Sequence, residues 1–287
     1  MRTTILLITM LLSSNVLICQ MRTYAIYDKT GKDLNFEDLV NVSLESELVF
    51  FGELHNNSIA HWLQLKMLKS FREATDRQIV VGMEMFESDD QILIDEYLSG
   101  VITERNFEEE AKLWSNYKTD YKPIVLFAKE NKIPVIATNT PRRYAAMVNS
   151  GGFEALNNLT NEAKQLIAPL PLAFDAELPG YKSMTEMSPM QSVKINVENL
   201  AKAQALKDAT MAHFILKNHK DRGLFFHING IYHTKNYEGI LWYINNQLKG
   251  VKITTISTIT VSDVNSVDNS ELQTADFTIC IDSDFSN

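Results

Sequence analysis

Two short segments place ionisable side chains directly after apolar runs. Residues 49–55 read VFFGELH, and residues 224–233 read LFFHINGIYH. Each segment contains a Gly-x-x-His unit, and these units end at His55 and at His233. A glycine in this position lets the chain turn sharply off a strand and leaves room for a ligand beside the backbone. The two imidazoles and the carboxylate of Glu53 are groups that transfer protons or bind metal ions.

Two other apolar runs end in the same way. Glu84 lies within QIVVGMEMF, two residues before its end, and Glu87 directly follows this run. Asn139 is the last residue of IPVIATN, and Arg142 comes three residues later. In an open parallel sheet, ligands bind beyond the carboxyl ends of the strands. We therefore expect Glu53, His55, Glu84, Arg142 and His233 to converge on one pocket at one end of a sheet.

Each of these side chains also has a purely structural interpretation. A single histidine at a strand end is more often a hydrogen-bonded structural residue than a ligand. Four polar endings on buried strands, however, each cost desolvation free energy unless they find partners. Their joint placement is what favours a site. The other histidines lack this context, so we interpret His61, His213 and His219 as surface or packing residues and His227 as a core histidine.

The elements that must position these groups are predicted by five apolar runs rich in β-branched residues. They are apolar at consecutive positions, as expected of strands buried on both faces. Helical patterns fill the sequence between several of them, which predicts an α/β fold with a mostly parallel sheet covered by helices. The predicted strands are 48–52, 78–86, 133–139, 223–229 and 251–259, with possible edge strands at 23–28 and 275–281; the predicted crossover helices are 58–74, 122–131 and 237–248.

Residues 141–222 interrupt this alternation and predict a mostly helical insert over one edge of the sheet. The segment includes a Pro-rich stretch at 168–180 and then a long helix, for which Ser188 is a candidate N-cap and Pro189 the first helical residue. Asp208 lies on that helix and shares a face with Gln204. It is either a site carboxylate or a solvated charge.

The first 19 residues have the pattern of a secretory signal: Arg2 precedes the apolar run ILLITMLL, which is too short to span a membrane. Cys19 is either the lipidated cysteine of a lipoprotein or the residue before a cleavage site. Residues 20–287 are then a single domain. The whole chain has a net charge of −9, which argues against nucleic acid as a partner. Cys280 is the one cysteine that follows the signal segment, so a disulfide within the domain and a metal cluster held by several thiolates are both excluded.

Five segments in order resemble a known family: VFFGELHNN, VVGMEMFE, PVIATNTPRR, KDATMAHFI and HINGIYH. They are similar to the ChaN-type haem-binding uptake proteins of the wider Tiki/TraB/erythromycin-esterase superfamily. By this resemblance His55 and His233 match the motif histidines, Glu53 the acid beside the first, Glu84 the lone glutamate, and Arg142 the arginine after the third strand. The Pro-rich stretch 168–180 has no counterpart in the pattern.

The resemblance implies an exported haem-binding protein of the bacterial cell envelope. Haem would be the cofactor, an outer-membrane haem receptor a partner, and lipidated Cys19 a membrane anchor. Haem iron takes an axial His, Tyr or Met, and the insert supplies several such side chains: Tyr144, Tyr181, Met184, Met187 and Met190. The haem-binding candidates are His55, Arg142, Tyr181 and His233.

The superfamily also implies a hydrolase as an alternative. A divalent metal ion would then be held by three groups from different strand ends: His55, Glu84 and His233. Glu53 or Asp208 would act as general base, and Arg142 would stabilise an oxyanion. A metal-free variant would use Glu53 and His55 directly to activate water. A third possibility is a fold of this type that retains no chemistry.

Overall fold

The computed structural model of the protein describes residues 22–186 and 197–285. These residues form one sheet whose strands are β1 (Tyr24–Asp28), β2 (Asp33–Leu34), β3 (Leu48–Glu53), β4 (Ile79–Glu87), β5 (Val135–Asn139), β6 (Leu224–Gly230), β7 (Ile253–Val261) and β8 (Phe277–Asp282).

The helices of the described residues surround the sheet. They are α1 (Phe36–Ser43), α2 (Ser58–Ala74), α3 (Gln91–Leu98), α4 (Glu104–Glu110), α5 (Lys122–Glu130), α6 (Arg142–Gly151), α7 (Asn161–Lys164), α8 (Pro179–Glu186), α9 (Val197–Asn218), α10 (Ile240–Gln247) and α11 (Asn269–Leu272). A short π-helix spans Tyr117–Tyr121. Across the described ranges, no helix is both long and apolar enough to span a membrane.

The strand order across the sheet is β2-β1-β8-β7-β3-β6-β4-β5. All neighbours from β8 to β5 pair in parallel, whereas β1 is antiparallel to β8 and β2 is antiparallel to β1. This confirms the predicted α/β fold with a mostly parallel sheet. The predictions that 23–28 and 275–281 form edge strands are both wrong. β1 pairs with β2 on one side and with β8 on the other, and β8 pairs with β1 and with β7. The edges of the sheet are β2 and β5.

The central strand β3 shows why its run is apolar without alternation. Val49 and Phe51 face the core beneath α2, while Leu48 and Phe50 belong to a second core on the opposite face of the sheet. All four side chains are fully buried, and full burial of each contributes roughly 1.5–3 kcal/mol. This burial on both faces fixes the position of β3, and it therefore fixes the position of Glu53, the last residue of the strand.

Helix α2 begins next to the site and forms as predicted. The side chain of Asn57 accepts hydrogen bonds from the backbone N–H groups of Ile59 (3.1 Å) and Ala60 (3.0 Å) and so caps the first turn. Leu63 and Met67 are completely buried one turn apart and face the sheet. The cap and this apolar stripe hold the loop between β3 and α2, which carries His55, in one position.

The predicted insert contributes helices α6 to α9. Helix α9 packs against the edge strand β5, reaches β4, and contacts α6, α8 and α10. The expected position of the insert over one edge of the sheet is therefore confirmed. The predicted start of the long helix at Ser188 and Pro189, together with Met187 and Met190, lies outside the described residues. Helices α3 and α4 have no counterpart among the predicted elements.

Candidate functional site

The four strands β3, β6, β4 and β5 are neighbours in the sheet and run in the same direction. Their carboxyl ends therefore lie side by side. Glu53 is the last residue of β3, Asn139 is the last residue of β5, and Gly230 ends β6 just before His233. The chain separates these residues widely, and the parallel sheet brings them to one edge.

Glu53 is a buried carboxylate with three hydrogen-bond donors. Tyr121 donates its hydroxyl to Oε1 (2.6 Å), His55 Nδ1 donates to the same oxygen (2.9 Å), and the Gln64 amide donates to Oε2 (2.5 Å). Burial alone would raise the pKa of this carboxyl group, but the hydrogen bonds from His55 and its other neighbours outweigh burial and lower it. Glu53 is thus held ionised inside the protein.

His55 is oriented by this carboxylate. Because Nδ1 donates to Glu53, the ring presents Nε2 on its other side, where it packs over Gly230. A Cβ atom added to Gly230 would lie 2.7 Å from both Cε1 and Nε2 of this ring, so the glycine is required for the ring position. Burial opposes protonation of His55, but the hydrogen bond to Glu53 and the charge of Glu84 raise its pKa above the usual value.

The edge of Trp114 meets the His55 ring at a centroid distance of 4.9 Å. The side chain of His55 is nevertheless 41% exposed. One ring nitrogen is therefore fixed by the protein, and the other, Nε2, has no hydrogen-bond partner among the described residues. This is the arrangement of a histidine that can accept or release a proton at Nε2.

His61 is a further member of this cluster that the sequence reasoning missed. It is buried rather than on the surface, and its Nε2 donates to the backbone oxygen of His55 (3.1 Å). Its Nδ1 lies 3.4 Å from Oε2 of Glu53. The only signal in the sequence was that His61 and Gln64 share the buried face of a helix that starts at the site. His61 supports the position of both Glu53 and the His55 backbone.

His233 lies in a second, fully buried cluster. Its Nε2 is 3.1 Å from Oε1 of Glu84, and its Nδ1 is 2.5 Å from Oδ1 of Asp208. The other oxygen of Glu84 accepts the N–H of Gly230 (2.7 Å). Burial disfavours the charged ring, yet the two carboxylates raise the pKa of His233 to about 10. The pKa of Glu84 falls to about 2 despite its burial, because His233 carries the compensating charge.

Asp208 reaches this cluster from the middle of α9. It is buried, so the interpretation as a solvated charge is wrong. Tyr181 of α8 donates its hydroxyl to Oδ2 of Asp208 (2.7 Å). Burial and the nearby charge of Glu84 raise the pKa of Asp208 although His233 acts against this. One imidazolium does not fully compensate two carboxylates, and the ionised form of Asp208 is stabilised less than the ionised form of Glu84.

His227 has the role that the sequence predicted for it. It is completely buried inside β6, where its ring nitrogens meet Thr138 Oγ1 (2.9 Å) and Asn229 Oδ1 (2.9 Å). Burial lowers its pKa to about 4. His227 is therefore a neutral core histidine. His213 and His219 are partly buried, and His219 lies 3.4 Å from Glu47.

An open cleft of about 660 Å³, which we call the histidine cleft, lies in front of the first cluster. Its lining residues include His55, Glu84, Trp114, Asn139, Thr140, Arg142 and Lys207. Arg142 stands at its rim: the side chain is 65% exposed and the guanidinium pairs with Glu87. His55, Glu84 and Arg142 thus share one cleft. The expectation that Glu53 and His233 line the same pocket is wrong, because both are buried, and buried Asp208 does not line it either.

A second cleft of about 460 Å³ lies beside α8 and α9, and we call it the tyrosine cleft. Its lining residues include Leu178, Tyr181, Met184, Gln204, Tyr232, Lys235 and Glu238. Tyr232 is 74% exposed, although it directly precedes the buried His233. The Gln204 amide lies 3.1 Å from Nδ1 of His233. The buried cluster of Asp208 and His233 therefore contacts lining residues of both clefts, through Glu84 on one side and through Tyr181 and Gln204 on the other.

The residues do not fit the metal site considered as an alternative. Throughout 22–186 and 197–285, no three His, Cys, Asp or Glu side chains are arranged to hold a metal ion. Both ring nitrogens of His233 already face carboxylates, so neither is free as a metal ligand. Of the ring nitrogens of His55 and His233, Nε2 of His55 is the one without a partner among the described residues. A single nitrogen donor is not enough to hold a metal ion.

Residues 39–244 match the family described as "Haem-binding uptake, Tiki superfamily, ChaN". This range covers most of the chain, and the chain belongs to this family. The structure is similar to that of ChaN of Campylobacter jejuni, solved in a study of cofacial heme binding, with a TM-score of 0.67 at 19% identity over 89% of this chain and 96% of that one.

Two other similarities are weaker. A Bacillus cereus protein of known structure aligns with a TM-score of 0.50 at 10% identity, over 87% of this chain and 92% of that one. The Arabidopsis thaliana protein RETICULATA-RELATED 5, chloroplastic, is 24% identical over 206 residues, which are 67% of this chain. The chain matches only 27% of the length of that relative.

Proposed function

We propose that this protein binds ferric haem in the tyrosine cleft. The family to which the chain belongs is one of haem-binding uptake proteins, and the similar Campylobacter jejuni protein was solved in a study of cofacial heme binding. The observation within this chain that carries the proposal is Tyr232, a largely exposed aromatic side chain at a cleft lined by apolar groups. Haem requires an apolar slot and an axial His, Tyr or Met.

Tyr232 fits the role of axial ligand better than the residues suggested by the sequence. The hydroxyl of Tyr181 is committed to Asp208, and burial together with that carboxylate raises its pKa, which opposes the phenolate that an iron ligand requires. His233 has both ring nitrogens beside carboxylates. His55 and Arg142 line the other cleft. Tyr232 is the lining tyrosine whose hydroxyl is accessible.

A haem titration followed in the Soret band tests this assignment. We expect a saturable, shifted Soret band for the wild-type protein and its weakening or loss in Tyr232→Phe, because phenylalanine keeps the ring and removes the ligating oxygen. Tyr237→Phe is the matched control, since Tyr237 is also partly exposed nearby but donates to Asp276 (3.0 Å). An unchanged spectrum in Tyr232→Phe would remove Tyr232 as the ligand, and no Soret shift in the wild type would reject haem binding.

We also propose that the protein is exported to the cell envelope. The support is the basic start and apolar run of residues 1–19, which lie outside the described residues. Lipidated Cys19 would anchor the chain, and an outer-membrane haem receptor would be its partner. Mass spectrometry of the membrane fraction distinguishes the two processed forms: a diacylglyceryl group on Cys19 supports the anchor, and a soluble chain that starts at Gln20 contradicts it.

A second candidate function is metal-free hydrolysis in the histidine cleft. The specific observation is that buried Glu53 fixes Nδ1 of His55, while Nε2 has no hydrogen-bond partner among the described residues and the side chain is 41% exposed. In this reaction Nε2 would take a proton from water as the water attacks the acyl carbon of an ester, and Glu53 would stabilise the resulting imidazolium. The imidazolium would then give this proton to the leaving oxygen as the ester C–O bond breaks, which releases the acid and the alcohol. Arg142 at the rim would lie near the oxyanion that forms.

Hydrolysis of an activated ester such as p-nitrophenyl acetate tests this candidate. Glu53→Gln keeps the shape of the side chain but replaces the acceptor of Nδ1–H, so we expect a rate loss of about 10²-fold or more. Metal analysis of the same sample should find no stoichiometric divalent ion. Equal rates in Glu53→Gln and wild type would reject this function without affecting the haem assignment.

A further inference from the structure

We propose that the histidine cleft binds the anionic group of a small organic molecule, a carboxylate or a phosphate, through Lys207 and Arg142. This proposal does not rest on haem binding, which we assign to the other cleft. If the proposed hydrolysis also takes place in this cleft, anion binding specifies that the substrate carries an anionic oxygen group. The argument rests on charge, on one unpaired hydroxyl and on the start of helix α6.

Lys207 is a half-buried cation without a counter-ion. It lies on α9 directly before Asp208 and lines the cleft. Among the residues that the structure describes, Lys207 makes no ion pair, whereas Lys202, one turn earlier on the same helix, pairs with Glu198 at 2.8 Å. An ammonium group that is partly removed from water needs a counter-charge. A ligand anion in the cleft would supply it.

The acidic residues of the cleft do not fill this role. The oxygens of Glu84 are occupied by His233 and by the N–H of Gly230. Glu87 pairs with Arg142 and lies 3.6 Å from the ammonium group of Lys112. Since both carboxylates are already compensated, the charge of Lys207 remains for a ligand. Arg142 is mostly exposed at the rim and can turn part of its guanidinium towards the same anion.

The first turn of α6 adds uncharged donors on the same side of the cleft. This ten-residue helix starts after Pro141, and none of the side chains that the structure describes caps it. Thr140, Arg142 and Ala145 around this turn all line the cleft. An uncapped helix start favours negative charge. Thr140 is only 2% exposed, and its hydroxyl has no hydrogen-bond partner in the described part of the chain. A bound oxyanion would accept from this otherwise unpaired donor.

The size of the cleft and the position of His55 indicate an organic molecule rather than a bare ion. About 660 Å³ is within the range of small-molecule sites. The cleft also contains Trp114, whose edge packs on His55, and the amide side chains of Asn116 and Asn139. The anionic end would lie towards Lys207 and α6, and the rest of the molecule would extend towards Trp114 and the free Nε2 of His55.

Calorimetric titration of the haem-free protein with inorganic phosphate, and then with methyl phosphate and acetate, tests the proposal. We expect saturable binding of at least one of these probes and an affinity about tenfold or more lower in Lys207→Met, because this variant loses the charge-assisted hydrogen bond to the anion. Thr140→Val should weaken binding in the same direction. Lys217→Met is the matched control, since it removes an exposed lysine near the far end of α9.

The outcomes separate this site from the haem site. Equal weakening of binding in Lys207→Met and Lys217→Met would mean a general effect of net charge and would overturn the proposal. The proposal would also be overturned if a wild-type protein with a normal circular dichroism spectrum bound none of the three probes in a saturable way. The titration is repeated after haem loading. Unchanged phosphate affinity supports two separate sites, and competition between haem and phosphate would contradict them. Failure of the Soret titration leaves the haem-free measurement intact.

Discussion

Three histidines, one inside β6 and two just after β3 and β6, show how one or two contacts decide the chemistry of a side chain. His227 has only neutral partners in the core, and burial lowers its pKa to about 4. His233 lies between two carboxylates, which raise its pKa to about 10 despite equal burial. His55 has one carboxylate partner and an open side. Only His55 combines a fixed ring with an accessible nitrogen, so it is the residue of this group that can exchange protons with a ligand.

At this scale we predict that Glu53→Gln lowers the pKa of His55. The hydrogen bond from His55 to the ionised Glu53 favours the imidazolium, and a neutral amide removes most of this effect. The measurement is an NMR titration of the His55 Cε1–H resonance in both proteins. Glu73→Gln, on the exposed face of α2, should leave the titration unchanged. An unaltered midpoint in Glu53→Gln would show that Glu53 does not control the charge of His55.

The sequence identified the residues that carry this chemistry but not those that support them. His55, Glu84 and His233 stand out because each ends an apolar run. Tyr121 and Gln64 lie on separate helical segments, and nothing local in the sequence relates them to Glu53. Tyr232 was missed because the neighbouring His233 dominates the motif, and its exposure depends on how the turn after β6 is packed.

At the scale of elements, a glycine allows two neighbouring strands to pack closely. Gly82 of β4 lies against Phe225 and His227 of β6, and an added Cβ would come within 2.5 Å of the Phe225 ring and 2.7 Å of the His227 ring. Both neighbours are fully buried aromatic rings with little space to move. The glycine therefore allows two bulky strands to pair within the sheet, two residues before Glu84 on β4.

We predict that Gly82→Ala destabilises the protein by about 1–3 kcal/mol, the usual cost of overpacking a core. Urea unfolding followed by circular dichroism measures this change. Gly151→Ala is the control: it has an ordinary backbone conformation at the end of α6, and its Cβ would meet only Ala155, at 3.3 Å. A loss of stability in Gly151→Ala as large as in Gly82→Ala would contradict the explanation by strand packing.

Strands with a strong apolar pattern were predicted well from the sequence, but their order in the sheet was not. β3, β4 and β6 are apolar on both faces, so each run indicates a buried strand by itself. The place of β8 between β1 and β7 depends on pairing across the whole chain, which no local pattern encodes. α4 was missed because its sequence, ERNFEEE, is almost entirely charged, and it packs through the single buried side chain of Phe107.

At the scale of the whole molecule, the buried cluster of Glu84, His233 and Asp208 joins the sheet to the insert. Glu84 belongs to β4, His233 follows β6, and Asp208 comes from α9. The ion pairs therefore tie the helical layer to the strand ends, and both clefts depend on this connection. Because the cluster is shielded from water, its charge state contributes to the stability of the entire domain.

The last prediction concerns the pH dependence of that stability. The folded-state pKa of His233, about 10, lies above its unfolded value of 6.5. Its contribution is fully present below the unfolded pKa and is lost as the pH rises through the folded one, at no more than about 1.4 kcal/mol per pH unit. Chemical unfolding between about pH 6 and pH 9 should therefore show a stability advantage of the wild type over His233→Gln that shrinks as the pH rises. His213→Gln, which removes a half-buried histidine whose pKa burial lowers, should run parallel to the wild-type curve above about pH 7.5, where this histidine is neutral in both the folded and the unfolded protein. Parallel curves for His233→Gln and the wild type would show that His233 is not charged between its two carboxylates.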